Sequence, residues 1–349
     1  MAEKYLAIAR DIRHNILTGK WKPCQQLPNR EDLVLQYNTS KATMQKTINA
    51  LLREGFIHTS NKSGTFVTET PPNLYSIAIV FPVNENEPSY TDSLWTGIMR
   101  QHHYLEEHFG RCFLFCRFYS SNIEHEEFQK VIKDAESLRL AGIIFSDEPS
   151  PVAVKALRHL NIPRVALTSE DVFSFSRVNV NFDMFFNLSM EYLRDCGRSR
   201  LAVIANPEMP PSHIAQCRQL ANDSGVAMPP EWELSVNLRF HVEHWVRNMI
   251  RLLFKQPAGQ RPDGLIVANE NLFEYVLNAL QYENIEPGRD LDIAVHTNFP
   301  TNRPKPCQVK RIGFDVRDII ECCIESLEKS GPGNIPVPLK LVKAVMETD

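Results

Sequence analysis

The stretch from Leu27 to Ile57 most constrains the fold, because it carries two short helical patterns separated by one turn residue. Its apolar residues recur at spacings of three and four, so each predicted helix has one face for a core. Asn38 lies between the two patterns, and Thr39 or Ser40 can cap the second helix by accepting its free N–H groups. The apolar positions are Leu33, Val34, Tyr37, Met44, Ile48, Leu51 and Leu52.

The second of these helices has a polar face whose side chains can donate hydrogen bonds to nucleic acid. The polar positions, all near its beginning, are Lys41, Thr43, Gln45 and Lys46. A recognition helix in a major groove needs such donors, for phosphates and for base edges, within its first two turns. The following residues 63–67 predict the tip of a β-wing. Phosphate contact or plain solvent exposure is the simpler interpretation for Lys41 and Gln45.

Charge divides the chain into a basic beginning and an acidic remainder. Residues 1–70 hold ten Lys/Arg and six Asp/Glu, a net charge of +4, so the rest carries −8 within a total of −4. A basic head on an acidic body suits a domain that binds a polyanion. The N-terminus is a polar amphipathic helix rather than a signal peptide.

Composition also bears on the compartment. No apolar run is long enough to cross a membrane, and the eight cysteines show no zinc-binding spacing. We therefore expect a cytoplasmic protein with reduced thiols and no membrane partner.

A proline-containing segment, 69–74, divides the predicted domains. Two successive prolines, Pro71 and Pro72, cannot continue a helix or a central strand, and they stiffen the chain in an extended form. We predict a winged helix-turn-helix DNA-binding domain over residues 1–70 and a linker over 71–75. Residues 76–349 would then form a two-lobed domain for effector binding and dimerisation.

The remaining sequence alternates short apolar runs with amphipathic segments, in two successive rounds of similar size. The pattern predicts, for example, a strand over 76–81, one helix over 94–109, a helix over 126–140 and a strand over 292–296. Two such rounds indicate an α/β body of two doubly wound parallel sheets. Ligands bind such sheets beyond the carboxyl ends of the strands, so two facing lobes would form a cleft.

The first segment closely resembles the winged-helix domain of the GntR family of bacterial transcription regulators. The resemblance is carried by Leu27-Pro28-Asn29-Arg30-Glu31-Asp32-Leu33, Ser40-Lys41-Ala42-Thr43, Glu54-Gly55-Phe56-Ile57 and Gly64-Thr65-Phe66-Val67. It implies that one set of residues faces DNA, the last three of them in the minor groove. These residues are Arg30, Ser40, Lys41, Thr43, Gln45, Lys46, Lys62, Ser63 and Gly64.

The sequence departs from the GntR pattern at three positions. Cys24 stands where the family usually has Gly, and Lys41 and Gln45 stand where Arg is common. Arg contacts guanine with two hydrogen bonds, whereas Gln suits adenine. We therefore expect an operator that differs from the family's commonest half-site.

The body resembles the periplasmic-binding-protein-like effector domain of the LacI family. The most specific stretch is Asp263-Gly264-Leu265-Ile266-Val267-Ala268-Asn269-Glu270, and the residues from Ile285 to Val295 continue it. Residues 192–204 match the family's entry into the second lobe. A GntR-type winged helix joined to such a body resembles the arabinose-repressor type of hybrid regulator.

This second resemblance implies roles for two residues in effector binding. Glu270 stands where the family's acid hydrogen-bonds ligand hydroxyls, and Arg218 matches an arginine that often holds ligand oxygens. A carboxylate accepts from two vicinal hydroxyls at once, so the implied effector is a sugar. Further candidates at strand ends are Ser89, Tyr90, Asp92, Asp147, Thr168, Asn181 and Asn298.

Two features count against this effector site. Position 298 is Asn where the family often has an acid, and the Gly-Phe pair usual after Arg218 is missing. For each candidate, a helix cap, a turn residue or a solvated side chain is the simpler alternative.

Motifs for catalysis and for cofactors are absent from the sequence. His102-His103 with Glu106-Glu107-His108 lacks the HExxH order, and we interpret it as a solvated helix face without metal. The sequence also has no GxSxG, GxxxxGK[ST] or GxGxxG motif, so we expect neither an enzyme nor a bound cofactor.

The sequence therefore favours a ligand-responsive transcriptional regulator. It would be a repressor that acts as a homodimer on double-stranded operator DNA and binds a small molecule, a sugar. One alternative is a constitutive DNA-binding protein with a vestigial cleft. A less favoured alternative is a cytosolic enzyme with an accessory winged helix. The sequence names neither the sugar nor the operator.

Overall fold

A computed structural model describes residues 2–60, 64–83, 93–119, 123–172, 175–238, 241–304, 308–331 and 335–348. The chain begins with a winged helix-turn-helix, followed by an α/β body with two six-stranded sheets. Both features confirm the predicted fold class.

The head consists of three helices and an antiparallel hairpin. Its elements are α1 (Ala2–Leu17), α2 (Arg30–Gln36), α3 (Lys41–Arg53), β1 (Ile57–Ser60) and β2 (Gly64–Val67). The predicted apolar faces meet in one core, which includes Ile8, Ile12, Ile16, Trp21, Leu33, Met44, Ile48, Leu51, Phe56, Ile57 and Val67. Asn38 has φ 42°, which confirms it as the turn residue between α2 and α3.

A buried ion pair joins the first and third helices of the head. The Arg13 guanidinium donates from Nε to Glu54 Oε2 at 2.9 Å and from Nη2 to Glu54 Oε1 at 3.2 Å. The same guanidinium carbon lies 5.9 Å from the centroid of the Phe56 ring. Two parallel hydrogen bonds fix the relative orientation of the two charged groups, so this pair sets how α1 packs on the end of α3.

The linker differs from the extended segment that the two prolines predict. Pro71 is extended, with φ −62° and ψ 144°, but Pro72 begins a one-turn helix, α4 (Pro72–Tyr75). Proline is compatible with the first helical position, because the N–H that it lacks would have no partner in the helix there.

The first half of the body alternates strands and helices. Its elements are β3 (Ser76–Val83), α5 (Ser93–Arg100), α6 (His102–Phe109), β4 (Cys112–Tyr119), α7 (Glu126–Glu136), β5 (Gly142–Phe145), α8 (Pro151–Leu157), β6 (Arg164–Leu167) and β7 (Ser176–Val180). The single helix predicted over 94–109 is thus two helices that meet at Gln101. Helix α7 ends before the predicted residue 140, and Leu138 has φ 56°.

The second half continues this alternation. Its elements are α9 (Phe182–Asp195), β8 (Leu201–Ala205), α10 (Pro211–Asp223), β9 (Glu233–Ser235), α11 (Val242–Phe254), β10 (Gly264–Val267), α12 (Phe273–Tyr282), β11 (Asp292–Phe299), β12 (Val309–Asp315), α13 (Val316–Ser330), β13 (Lys340–Val342) and β14 (Val345–Met346). The sequence pattern did not reveal β12, β13 or β14, and β11 runs three residues beyond the predicted strand.

The two sheets have similar strand orders. The first is β13-β7-β6-β5-β3-β4, and the second is β14-β12-β11-β10-β8-β9. In the second sheet all neighbours are parallel except β12 and β14, which pair antiparallel at Ile312↔Met346 and Gly313↔Val345. The prediction of parallel sheets is confirmed apart from this edge strand. In a parallel sheet the carboxyl ends of the strands share one edge, and that edge positions the polar residues discussed below.

The described residues form two compact units. The first contains the head, the linker and the part of the body up to the start of β7, together with the end of α13. The second contains α5 and the elements from α9 to the beginning of α13. None of the described helices combines the length and the apolarity that a bilayer span requires.

Candidate functional site

Helix α3 begins at a cap that the sequence specifies. Ser40 has extended backbone angles, and its Oγ accepts a hydrogen bond from the Thr43 backbone N–H at 3.1 Å. The Ser40 and Thr43 hydroxyls also lie 2.9 Å apart. The cap satisfies one of the free N–H groups of the first turn. Ser40, rather than Thr39, is therefore the capping residue.

The polar face of α3 points away from the head core. Met44, Ile48 and Leu51 are buried on the core side, whereas Lys41 and Lys46 are exposed. Lys41 Nζ donates to Glu31 Oε1 at 3.0 Å, with 75% and 77% of the two side chains exposed. An ion pair this exposed contributes little to stability, so a phosphate can replace Glu31 at small cost.

Gln45 is the residue of this face best suited to reading a base. Its Nε2 donates to Asn49 Oδ1 at 2.8 Å, one turn further along α3. This bond holds the amide against the helix surface. Side chains with a carboxamide read adenine by donating and accepting at once, so the Gln45–Asn49 pair offers two adjacent amides to a groove.

The remaining predicted DNA contacts lie outside α3. Arg30 is exposed at the start of α2. Gly64 begins β2 with φ 117°, and a Cβ there would lie 2.5 Å from Gln26 Nε2, so both its backbone and its surroundings require glycine. Lys62 and Ser63 fall outside the described residues.

Glu270 lies at the carboxyl edge of the second sheet, just beyond β10. Its side chain is 7% exposed. Oε2 accepts from the Asn298 backbone N–H at 3.0 Å and from Asn298 Nδ2 at 3.1 Å. Arg303 Nε lies 3.8 Å from the other oxygen, Oε1. The structure thus brings together two residues that the sequence predicted separately, Glu270 and Asn298.

Two further residues complete this constellation, and the sequence did not single them out. Asn298 Nδ2 also donates to Ser93 Oγ at 3.0 Å, which links β11 to the start of α5. Arg303 comes from the segment after β11 and also approaches Glu274, at 4.0 Å. A carboxylate, an amide, a hydroxyl and a guanidinium at one edge can donate to and accept from a polyhydroxylated molecule.

An aromatic cluster lies beside this edge. His296 precedes Asn298 by two residues on β11, so both side chains are on the same face of the sheet. The imidazole centroid is 5.4 Å from that of Phe182, 5.7 Å from Phe185 and 5.6 Å from Phe314. Complete burial lowers the pKa of His296 to about 4, so the ring is neutral at physiological pH.

Arg218 does not join the Glu270 constellation in the described structure. Its guanidinium forms a two-bond ion pair with Glu233 on β9, in which Nη2 donates to Oε2 at 2.5 Å and Nε donates to Oε1. This pair raises the pKa of Arg218 above its ordinary value. The guanidinium thus already has a carboxylate partner, which the position of Arg218 in the sequence did not suggest.

The other predicted effector residues make local contacts. Asn181 Oδ1 caps α9 by accepting from the Met184 N–H at 3.0 Å. Thr168 Oγ1 accepts from the Glu170 N–H at 3.0 Å, and Asp147 Oδ1 accepts from the Glu148 N–H at 2.7 Å. These are the capping and turn contacts that were the simpler alternative. Ser89, Tyr90 and Asp92 fall outside the described residues.

The histidine cluster on α6 comes together in space. Potential ligand atoms of His102, His103 and Glu106 lie within 4.8 Å of one another. However, the two imidazole rings face each other with centroids 4.0 Å apart and planes inclined by 34°. An imidazole binds a metal through a lone pair in its ring plane, and rings arranged in this way direct those lone pairs past a common point. The arrangement would have to change before it could hold an ion.

The head matches a known family. Residues 4–67 match the bacterial regulatory proteins of the gntR family. The head is a GntR-family winged helix. Its first helix, its capped third helix and its hairpin are therefore the parts of a DNA-binding domain of bacterial regulators.

Similarity to known proteins extends over the GntR head and the body together. The chain is 21% identical over 312 residues to the arabinose metabolism transcriptional repressor of Geobacillus stearothermophilus, which covers 85% of this chain and 82% of that relative.

The body shares its fold with solved structures of LacI-family regulators. One, from Chloroflexus aggregans, has a TM-score of 0.61 and 17% identity, and covers 77% of this chain and 96% of that one. Another, from Enterococcus faecium with bound ribose, has a TM-score of 0.57 and 13% identity, and covers 78% and 97%. The body therefore has the periplasmic-binding-protein-like fold of that family.

Proposed function

We propose that this protein is a transcriptional repressor that binds operator DNA through its GntR head and a sugar through its body. The observation that carries the proposal is the joining, in one chain, of a winged helix with an exposed donor face to a body of LacI-regulator fold. The relative named as an arabinose metabolism repressor spans most of the chain, and this supports a regulatory rather than a catalytic role.

In this proposal the DNA contacts come from α3 and its surroundings. Gln45 reads a base, while Lys41 and Lys46 neutralise phosphates, because the first carries a two-sided amide and the others carry point charges. Arg30 and the wing residues 62–64 add backbone contacts. The net charge of +4 in residues 1–70 favours their approach to DNA over that of the acidic body.

The effector site in this proposal is the Glu270 constellation. One neighbour of the same fold is a regulator with bound ribose, and a buried carboxylate beside a guanidinium is a common arrangement for holding sugar hydroxyls. Because Glu233 occupies Arg218, we assign the role of guanidinium donor to Arg303. Sugar binding then changes operator affinity by the ratio of its affinities for the two states of the protein.

We also propose that the protein is a cytoplasmic homodimer. The seven cysteines in the described part of the chain are all free thiols, which is the state expected in a reducing compartment. A two-fold dimer would present two heads to a palindromic operator. The molar mass in solution, from light scattering after gel filtration, tests the dimer: the mass of one 40.0 kDa chain would contradict it.

The first experiment is a thermal-shift screen against pentoses, hexoses, disaccharides and sugar phosphates. A ligand of the folded state at a hundredfold excess over its Kd adds about 2.7 kcal/mol of stability. A shift with one sugar supports the effector assignment. No shift with any member of the panel would contradict it and would favour the alternative of a constitutive DNA-binding protein.

The second experiment tests the roles on α3. Operator duplexes are first selected from random DNA with the full chain, and binding is then measured over a range of salt. We expect Gln45→Ala to relax the base preference, and Lys46→Ala to weaken all duplexes equally and lower the salt slope by about one. Lys133→Ala removes the same charge from an exposed site on α7 and is the matched control. An unchanged base preference in Gln45→Ala would refute its reading role.

A further inference from the structure

The first unit contains a cavity of about 200 Å³ at the amino ends of its strands. Ile77 lies at the start of β3, Ala141 precedes β5, and Pro163 precedes β6. The cavity therefore lies at the opposite edge of the first sheet from the carboxyl ends, where ligands of this fold bind. Leu17 at the end of α1, Leu74 in the linker and Leu327 on α13 complete its apolar lining.

One polar side chain in this lining has no partner. Asn73, on the one-turn helix of the linker, is only 4% exposed. Neither its Nδ2 nor its Oδ1 has a hydrogen-bond partner among the described residues. A buried amide without partners costs free energy, and such groups in folded proteins call for an explanation. A molecule in the cavity that both donates and accepts would satisfy both atoms.

Charge in the cavity wall is already balanced. The Arg111 guanidinium donates to the Leu74 carbonyl and to Glu328 Oε1, so it ties the linker to α13. Because Glu328 neutralises Arg111, a charged ligand would find no unmatched partner there. The chemistry of the lining is thus apolar and neutral, with one amide as its hydrogen-bonding group.

We propose that this cavity is a second ligand site, for a neutral ring-sized molecule that carries a carboxamide or lactam edge. Such an edge forms two hydrogen bonds with the Asn73 amide, one donated and one accepted, while the ring packs against Ile77, Ala141 and Leu327. The size fits, since a cavity of about 150 Å³ accommodates benzene. This site is separate from the Glu270 constellation and does not depend on the proposed sugar.

The position of the site couples it to the head. Its lining includes the last residue of α1 and two residues of the linker, so a bound molecule contacts the head, the linker and the first sheet at once. A ligand stabilises the conformation to which it binds best. The molecule would therefore favour the described arrangement of α1 and α4 over any in which the linker leaves Arg111.

Benzamide is the probe for this site, and toluene is its partner without an amide. Ligand-observed NMR titrations of the full chain give both affinities. We expect benzamide to bind one to one and more tightly than toluene. Asn73→Leu keeps the side-chain size but removes the amide, so it should weaken benzamide about tenfold and leave toluene unchanged or tighter. Ala141→Leu narrows the cavity and should weaken both.

Two controls make the result specific. Asn222→Leu places the same substitution on the exposed surface of α10 and should leave benzamide binding unchanged. Glu270→Gln should also leave it unchanged, which separates this site from the effector site. Asn73→Leu should raise the unfolding midpoint, because it removes an unpaired buried amide, and this rise shows that the variant folds.

Hydrogen exchange tests the coupling to the head. With benzamide present, we expect slower exchange at the end of α1 and across residues 74–77. Absence of benzamide binding to the unmodified chain would overturn the proposal, and so would equal affinities for the unmodified chain and Asn73→Leu. A failure of the sugar screen together with the expected benzamide results would leave this site standing.

Discussion

Replacing Glu270 separates its structural role from its proposed role in effector binding. The carboxylate accepts two hydrogen bonds from Asn298 on a single oxygen, Oε2. A glutamine can offer one oxygen in the same position, so Glu270→Gln should retain both bonds. Alanine cannot, and Glu270→Ala leaves the buried Asn298 N–H without an acceptor. The glutamine variant is therefore the informative change.

The expected magnitudes follow from these contacts. Leaving the Asn298 N–H unsatisfied costs about 1–3 kcal/mol of folding free energy, so Glu270→Ala should be destabilised by at least that amount. Glu270→Gln should unfold within about 1 kcal/mol of the unmodified chain. For the sugar, a neutral acceptor in place of a charged one weakens each hydroxyl contact by about 1 kcal/mol, and two such contacts amount to roughly 30-fold in Kd.

The assay is calorimetric titration with whichever sugar shifts the unfolding midpoint most. Glu274→Gln is the matched control, because Glu274 also approaches Arg303, at 4.0 Å, but its side chain is 75% exposed. We expect the control to bind the sugar normally. If Glu270→Gln binds with the affinity of the unmodified chain, Glu270 is only a structural partner of Asn298 and the effector assignment is wrong.

Three other substitutions test the physical account of the fold. Glu54→Ala should lower the free energy of unfolding by about 3 kcal/mol in urea titrations, because it leaves Arg13 buried and unpaired; a change below about 1 kcal/mol would contradict the importance of this pair. Cys24 has φ 63°, so Cys24→Gly should raise that free energy by roughly 0.5–1 kcal/mol, and a loss of stability would show that the thiol contributes more than the strain costs. His296 should make stability fall as pH drops from about 6.5 towards 4, since the unfolded chain binds a proton there and the folded chain does not, by up to about 3 kcal/mol at the lower end. His296→Phe should remove most of that pH dependence, measured as the difference between urea titrations at the two ends of the range.

The head could be predicted from sequence because its determinants are local. Ser40 caps a helix whose N–H group lies three residues away, and Asn38 adopts a left-handed turn that its own side chain tolerates. The spacing of the apolar residues assigns each helix its core face without any knowledge of the partner. The alternation of strands and helices in the body is equally local, and it led to the correct fold class.

Strands whose stability comes from distant partners could not be predicted in this way. β13 and β14 have three and two residues and show no pattern of their own. They form because β7 and β12 already present hydrogen-bonding edges to them. The break between α5 and α6 is similar, since the amphipathic pattern continues across it.

The sequence by itself determined the winged helix, the α/β body and the importance of Glu270 and Asn298. Only the tertiary structure decided which side chains share a site. Arg303 reaches Glu270, and Glu233 occupies Arg218, because helices, strands and loops far apart in the chain pack at one edge of a sheet. Asn73 is buried for the same reason, since α1, the linker and α13 enclose it from separate parts of the chain. Side-chain periodicity describes which face of an element is buried, but the identity of the group across the contact depends on three-dimensional packing.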